Sequence, residues 1–254
     1  MKLEYVPLLQ MQRDLYDIPR GWTRFSDYLE LMTGGTDDMV LPLSALNPMG
    51  KPHVAAKLDG LIALGAEEVA AKAVGEAERR LSQVSGELKV GIVIADDAQG
   101  AWTNRYLTET RHWFQNKGEV KRNWATVLVW TSEVYSSQEQ VRQEVLSSIY
   151  RILYLKQHGL ANTLRQMMRQ EGFAMAFAGA KEPSLDPEEL AYSREVIQPY
   201  LDSEHFPTQF ACLYGDEAAK SVGYEPQGLS TRAGYAVALD DALQSDITPE
   251  MALC

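Results

Sequence analysis

The chain has 254 residues, 45% of them apolar and 23% charged, with 35 acidic against 24 basic side chains and a net charge of −11. A field of that sign repels phosphate backbones and anionic lipid surfaces, which sets aside nucleic acids and membranes as partners. Two cysteines, Cys212 and Cys254, without a CxxC or Cys/His spacing, set aside a disulfide scaffold and a zinc finger.

This length suits one core with an elaboration. We therefore expect a helical N-terminal extension over 1–85, packed on an α/β (α+β) core over 86–254, together one compact unit. The opening MKLEYVPLLQ lacks a basic region followed by a long apolar run, so it does not read as a signal peptide. Apolar stretches such as Ala125–Trp130 are far shorter than the roughly 20 residues that cross a bilayer. With two thiols expected to be reduced, the expectation is a cytoplasmic protein.

In chain order, the first forty residues mix aromatics and charges (Tyr16, Trp22, Phe25, Tyr28) and predict short helices. Turn chemistry follows at Gly34–Asp38 and Asn47–Pro52. Leu58, Leu61, Ile62, Val69, Ala73 and Ala77 recur at helical spacing and predict one helix from about Val54 to Val84. Leu88–Ala95 and Trp124–Thr131 are apolar, β-branched runs that read as buried strands. Thr103–Lys117 between them reads as a helix.

Ser136 with Glu139 three residues on reads as a capping box opening a long helix, with Val141, Val145, Ile149, Ile152 and Leu153 on one face and Gly159 as its stop. Further helices are predicted over Thr163–Ala178, over Asp186–Leu201 and from about Ser230 to Gln244. Met167, Met168, Tyr150 and Tyr154 read as core.

The order strand, helix, strand, long capped helix, then a helix ending Gln170-Glu171-Gly172-Phe173-Ala174, then Tyr214-Gly215-Asp216 and Ala233-Gly234-Tyr235, resembles the zincin metallopeptidase fold. The likeness covers the C-terminal two thirds of the chain. In that family the long helix bears HExxH, whose two imidazoles at i and i+4 hold Zn²⁺ while the intervening glutamate deprotonates the bound water. Aligned so, the five positions read Gln143-Glu144-Val145-Leu146-Ser147. The resemblance puts Glu144 at the general-base position and Glu171 at the third-ligand position. Gln143 and Ser147 stand where the histidines would be, and an amide and a hydroxyl cannot replace two imidazoles. It therefore implies a zincin-like scaffold, a small sheet against long helices, without metal or other cofactor. Gln143, Ser147, Arg151, Tyr214 and Asp216 become candidate ligand-binding residues. Glu171 needs donors there, from Gln143, Ser147 or Arg151, and Gly172 implies a close backbone approach. On that basis Glu171→Gln should be tolerated and Glu171→Leu should not.

Asp96-Asp97 ends a predicted strand, where open α/β sheets place ligand groups, and could bind a cation or serve as acid and base. The favoured reading is that it starts the turn into Gln99-Gly100 and caps the next helix. His53, His112, His158 and His205 show no ligand spacing and read as isolated. Gly50-Lys51 is not a phosphate loop, for it lacks the upstream glycine and Pro52 replaces the Ser or Thr. Arg105–Trp124 carries five cations among Tyr106, Trp113, Phe114 and Trp124, a pattern that reads as a solvated helix face with its aromatics inward. No Gly-x-Ser-x-Gly elbow is present.

The functional expectation is a non-catalytic protein that binds a protein or small-molecule partner. The alternatives are a hydrolase using Asp96, Asp97, Glu144 and Glu171, with or without a divalent metal, and a structural assembly subunit.

Overall fold

The computed structural model describes residues 1–101 and 103–254. It is an α/β protein with a small parallel sheet among many helices. In chain order the elements are β1 (Lys2–Tyr5), α1 (Leu9–Leu15), α2 (Trp22–Thr33), α3 (Pro52–Ala63), α4 (Ala66–Arg80) and β2 (Glu87–Ala95). Next come α5 (Arg105–Phe114), α6 (Lys117–Arg122), β3 (Trp124–Trp130), α7 (Gln138–His158) and α8 (Leu164–Ala178). The chain ends with α9 (Pro187–Ile197), α10 (Phe206–Tyr214), α11 (Asp216–Ser221) and α12 (Ala233–Leu243).

The chain divides into two compact units, Met1–Arg105 with Lys117–Ile149, and Tyr106–Asn116 with Tyr150–Cys254. This is a different division from the expected one at 85/86. The physical reason is that the N-terminal segment is not helical throughout: its first residues form β1, which pairs along β2 from Lys2↔Glu87 to Tyr5↔Val90.

In the first unit the strands are all parallel, in the order β1-β2-β3. β3 is buried along its whole length and β2 from Val90 onward, as strands covered on both faces must be. The register Lys89↔Trp124 to Ala95↔Trp130 brings the carboxyl ends of β2 and β3 side by side. The predicted helix over 54–84 is two helices, because Gly65 adopts φ +73°, a left-handed conformation that ends one helix and starts the next. The residues that opened α7 are also offset by one from expectation. Ser137, not Ser136, accepts the Gln140 amide proton through its hydroxyl, and the Gln140 side chain accepts from the backbone N–H groups of Ser136 and Ser137. Val141, Val145 and Ile149 are buried, and Arg142 of this helix pairs with Glu76 of α4.

The second unit is helical. Its core joins Trp113 and Phe114 of α5 to Leu164, Met167 and Met168 of α8, Phe210 and Tyr214 of α10, and Tyr235 and Val237 of α12. Thr163 and Gln166 form a reciprocal capping box that opens α8, and Asp186 caps α9 ahead of Pro187. The backbones of α8 and α12 meet at Gly172. A Cβ there would lie 2.1 Å from the Ala238 carbonyl oxygen, so only glycine fits the approach. Among the described residues no helix is long and apolar enough to cross a membrane.

Candidate functional site

Where β2 ends, the chain delivers Asp96 into a polar environment it cannot leave, for the residue is only 2% exposed. A buried carboxylate must find donors. Its Oδ1 lies 2.7 Å from His53 Nε2 and accepts from Thr131 Oγ1 at 3.1 Å, and its Oδ2 accepts from Asn47 Nδ2 at 3.0 Å. Asp97 turns the other way. It accepts from the Ser132 backbone at 2.9 Å and its hydroxyl at 2.6 Å, tying the exit of β2 to the exit of β3. Neither aspartate caps a helix, since α5 begins only at Arg105, which corrects the favoured expectation of a helix cap.

His53 occupies the first turn of α3, just after Pro52, whose missing N–H is no loss at a helix start. Its Nε2 faces a carboxylate, so that nitrogen carries the proton. Nδ1 is then an acceptor, buried and without a hydrogen-bond partner. A ring held by a carboxylate on one nitrogen has a fixed orientation, and its other nitrogen is left as an unmet hydrogen-bonding group. One turn along α3, Lys57 donates to the Glu133 carbonyl oxygen and lies over the Tyr135 ring. Burial lowers its pKa below that of an ordinary lysine, against the opposing charges of Glu133 and Asp97.

Asn47, Met49, Lys51, His53, Asp96 and the loop 98–101 line a cleft of about 170 Å³ with Arg20 on its rim. Lys51 Nζ donates to the Gln99 carbonyl at 2.6 Å, and Gln99 adopts φ +52°, unusual for a residue with a side chain. Behind the Asn47 loop, the Tyr16 hydroxyl donates to the Asn47 carbonyl at 2.5 Å. Burial and then the Asp96 charge raise the Tyr16 pKa above the usual phenol range, so the group stays a donor. Among the described residues neither Arg20 nor Lys51 has a carboxylate partner. On a chain of net charge −11, two such cations beside one cleft stand out.

The other residues singled out from the sequence are placed as follows. Gln143 donates to Glu139, and the Ser147 hydroxyl donates to the Glu144 carbonyl, both within α7. Glu171 is fully buried on α8 and receives Arg151 Nε at 3.0 Å and Nη2 at 2.8 Å, with Gln170 Nε2 at 3.2 Å. Arg151 in turn stacks on Trp113, 3.8 Å from the ring centroid. Tyr214 is buried in the core of the second unit, where it accepts from Thr110 Oγ1 at 3.2 Å. Asp216 accepts the backbone N–H groups of Gln227, Gly228 and Leu229, which makes it the anchor of that loop. Among the described residues no three His, Cys, Asp or Glu side chains are grouped to hold a metal ion.

His112 and His205 have local partners in Asn116 and Thr208, and the His158 ring bonds the Ala252 carbonyl near the chain's end. His53 is the histidine that reading the sequence alone missed. Its partner lies 43 residues away, at a strand end that had already been marked as a ligand position.

No family model matches the chain, and neither does any solved structure. An uncharacterized protein, YjfC of Bacillus subtilis (strain 168), is 37% identical over 84 residues, 33% of this chain and 27% of that protein. The chain thus spans little more than a quarter of that relative's length.

Proposed function

We propose that this protein binds a small anionic ligand at the carboxyl edge of its parallel sheet and carries out proton transfer on it through His53. The observation that carries the reading is the 2.7 Å contact between the buried Asp96 and Nε2 of His53, a residue that lines a cleft and whose Nδ1, itself buried, has no hydrogen-bond partner. Asp96 fixes the ring and its tautomer, and Asn47 and Thr131 fix Asp96. Lys51 and Arg20 supply positive charge at the rim, and the first turn of α3 adds the positive end of a helix dipole. This reading departs from the expected non-catalytic protein, takes up the alternative that gave Asp96 a chemical role, and adds a histidine that the sequence did not reveal.

The test is titration of the full chain with phosphate, pyrophosphate and citrate, followed by the ¹⁵N signals of the histidine rings. At least one of these anions should shift the His53 resonances and leave those of His205 in place. Lys51→Ala with Arg20→Ala should weaken that response at least tenfold. Shifts confined to other histidines, or no saturable response to any of the three, would overturn the reading.

A second reading retains the zincin-like likeness, with α7 and α8 as the two motif-bearing helices of a non-catalytic binding protein. It is supported by the element order and by the Arg151–Glu171 pair, in which a guanidinium on the long helix meets the glutamate that the family would turn to a metal. Zinc analysis of the purified protein tests it: one equivalent surviving dialysis against a weak chelator would count against a scaffold without metal.

A further inference from the structure

The second unit carries a groove of about 360 Å³, distinct from the strand-end cleft and bordered by α8, α12 and the segment that follows α12. Its apolar surface comes from Met168, Phe173, Leu201, Ala238, Ala242 and Ile247. The space exists because α12 presents short side chains here, Ala238 and Ala242, while its backbone is held against α8 at Gly172. Its volume lies within the roughly 300–1,000 Å³ typical of small-molecule sites. Ile247, 38% exposed, is an apolar side chain that an occupant would cover.

The charges around the groove nearly cancel in pairs. Arg165 donates to Asp202 at 2.9 and 3.1 Å, and Arg194 donates to Asp241 and Asp240. Arg169, one turn beyond Arg165 on α8, is left over. Its guanidinium lies 5.8 Å from the Phe173 ring centroid, and no carboxylate among the described residues pairs with it. A mostly apolar groove with one unmatched cation is complementary to a molecule with an apolar body and one negative charge.

We propose that this groove binds an apolar monocarboxylate, a medium-chain fatty acid in its simplest form. The carboxylate lies on Arg169 and the chain lies over Met168, Phe173 and Ala242. A polyanion is the poorer match, since Arg165, the other arginine lining the groove, already holds the Asp202 carboxylate. The site is independent of the one at the sheet edge and does not rest on it.

Calorimetric titration of the full chain with octanoate tests the proposal, with 1-octanol and acetate as the two halves of the ligand and circular dichroism as a check on folding. Octanoate should bind once per chain, at least tenfold more tightly than either comparison ligand. Arg169→Gln should weaken octanoate at least tenfold and bring it level with octanol. Ser245→Trp, a substitution at an exposed groove position, should block both. No binding of octanoate to the wild-type chain, octanol binding as tightly as octanoate, or Ser245→Trp leaving a folded protein with unchanged affinity would each overturn it.

Discussion

The side chain of Gln12 completes the hydrogen-bond ladder of β2: its Oε1 accepts the Ile94 N–H at 2.9 Å and its Nε2 donates to the Ile92 carbonyl at 2.7 Å. The backbone ladder on that side ends where Val6 donates to Val90, since the chain then turns off into α1. A helical amide thus supplies, from a fully buried position, what another pair of strand residues would have supplied. Gln12→Leu would leave a buried N–H and a buried C=O without partners, at about 1–3 kcal/mol for each. Urea unfolding should show a loss of about 2–5 kcal/mol, with little change in the slope of the transition.

The buried Arg151–Glu171 pair corrects the expectation that Glu171→Gln would be tolerated. Gln keeps hydrogen-bonding capacity, but it leaves a guanidinium that is itself only 7% exposed without its counter-charge. Breaking a buried pair from one side costs about 3–5 kcal/mol, whereas replacing both partners with apolar groups is often neutral. Glu171→Leu and Arg151→Met should each destabilise strongly, Glu171→Gln somewhat less. The double variant Arg151→Met/Glu171→Leu should be more stable than either single one. A thermal-melt cycle measures this, and additivity of the two losses would contradict it.

Glu76 should make part of the stability pH-dependent. Arg142 donates to it at 2.6 and 2.9 Å, which holds its carboxyl below the ordinary value of 4.5 even though burial acts in the opposite sense. A carboxylate with a depressed folded-state pKa stabilises the fold above its unfolded value, and the contribution fades as pH falls through the folded one. Wild type should therefore exceed Glu76→Gln by about 0.5–1 kcal/mol at pH 7, the size of a partly exposed pair. The gap should close as the pH is taken well below 4.5 in a series of urea melts.

The two thiols should differ sharply in reactivity. Cys212 has no exposed surface, and burial pushes its thiol up to about 12, whereas Cys254 is exposed. A thiolate-specific reagent should label one site per native chain promptly and the second only on unfolding. Prompt labelling of both in the native state would show that the core around α10 opens readily.

What could be read in the sequence follows the local signal each element carries. β2 and β3 were legible because buried parallel strands are unbroken apolar runs. β1 was not, since four residues with only Leu3 buried look like any terminal segment. The break at Gly65 was hidden because apolar spacing continues on both sides of it. The start of α7 was ambiguous because Ser136-Ser137 and Glu139-Gln140 offer two overlapping registers. At the candidate cleft, the strand end that carries Asp96 was legible, but the sequence favoured a helix cap there over a ligand role. His53 was not legible, because nothing in its neighbourhood encodes a partner that only the fold brings to it. Glu171 lay between these cases: its awkwardness on an apolar helix pointed to a buried partner, and Arg151 was one of three named.

The interleaving of the two units also bears on how the chain can be made and cut. Tyr106–Asn116 is synthesised before Lys117–Ile149, yet it belongs with residues that follow Tyr150. During translation, Trp113 and Phe114 leave the ribosome long before α8 and α12, with which they share a core, have been made. They must wait as exposed aromatics while the sheet is completed around them in sequence. For the same reason no single cut releases an intact half: a fragment starting at Tyr150 lacks α5, and one ending at Ile149 carries α5 without its companions. Expression of either fragment alone should give an aggregation-prone product, whereas co-expression of the two offers each segment its missing counterpart.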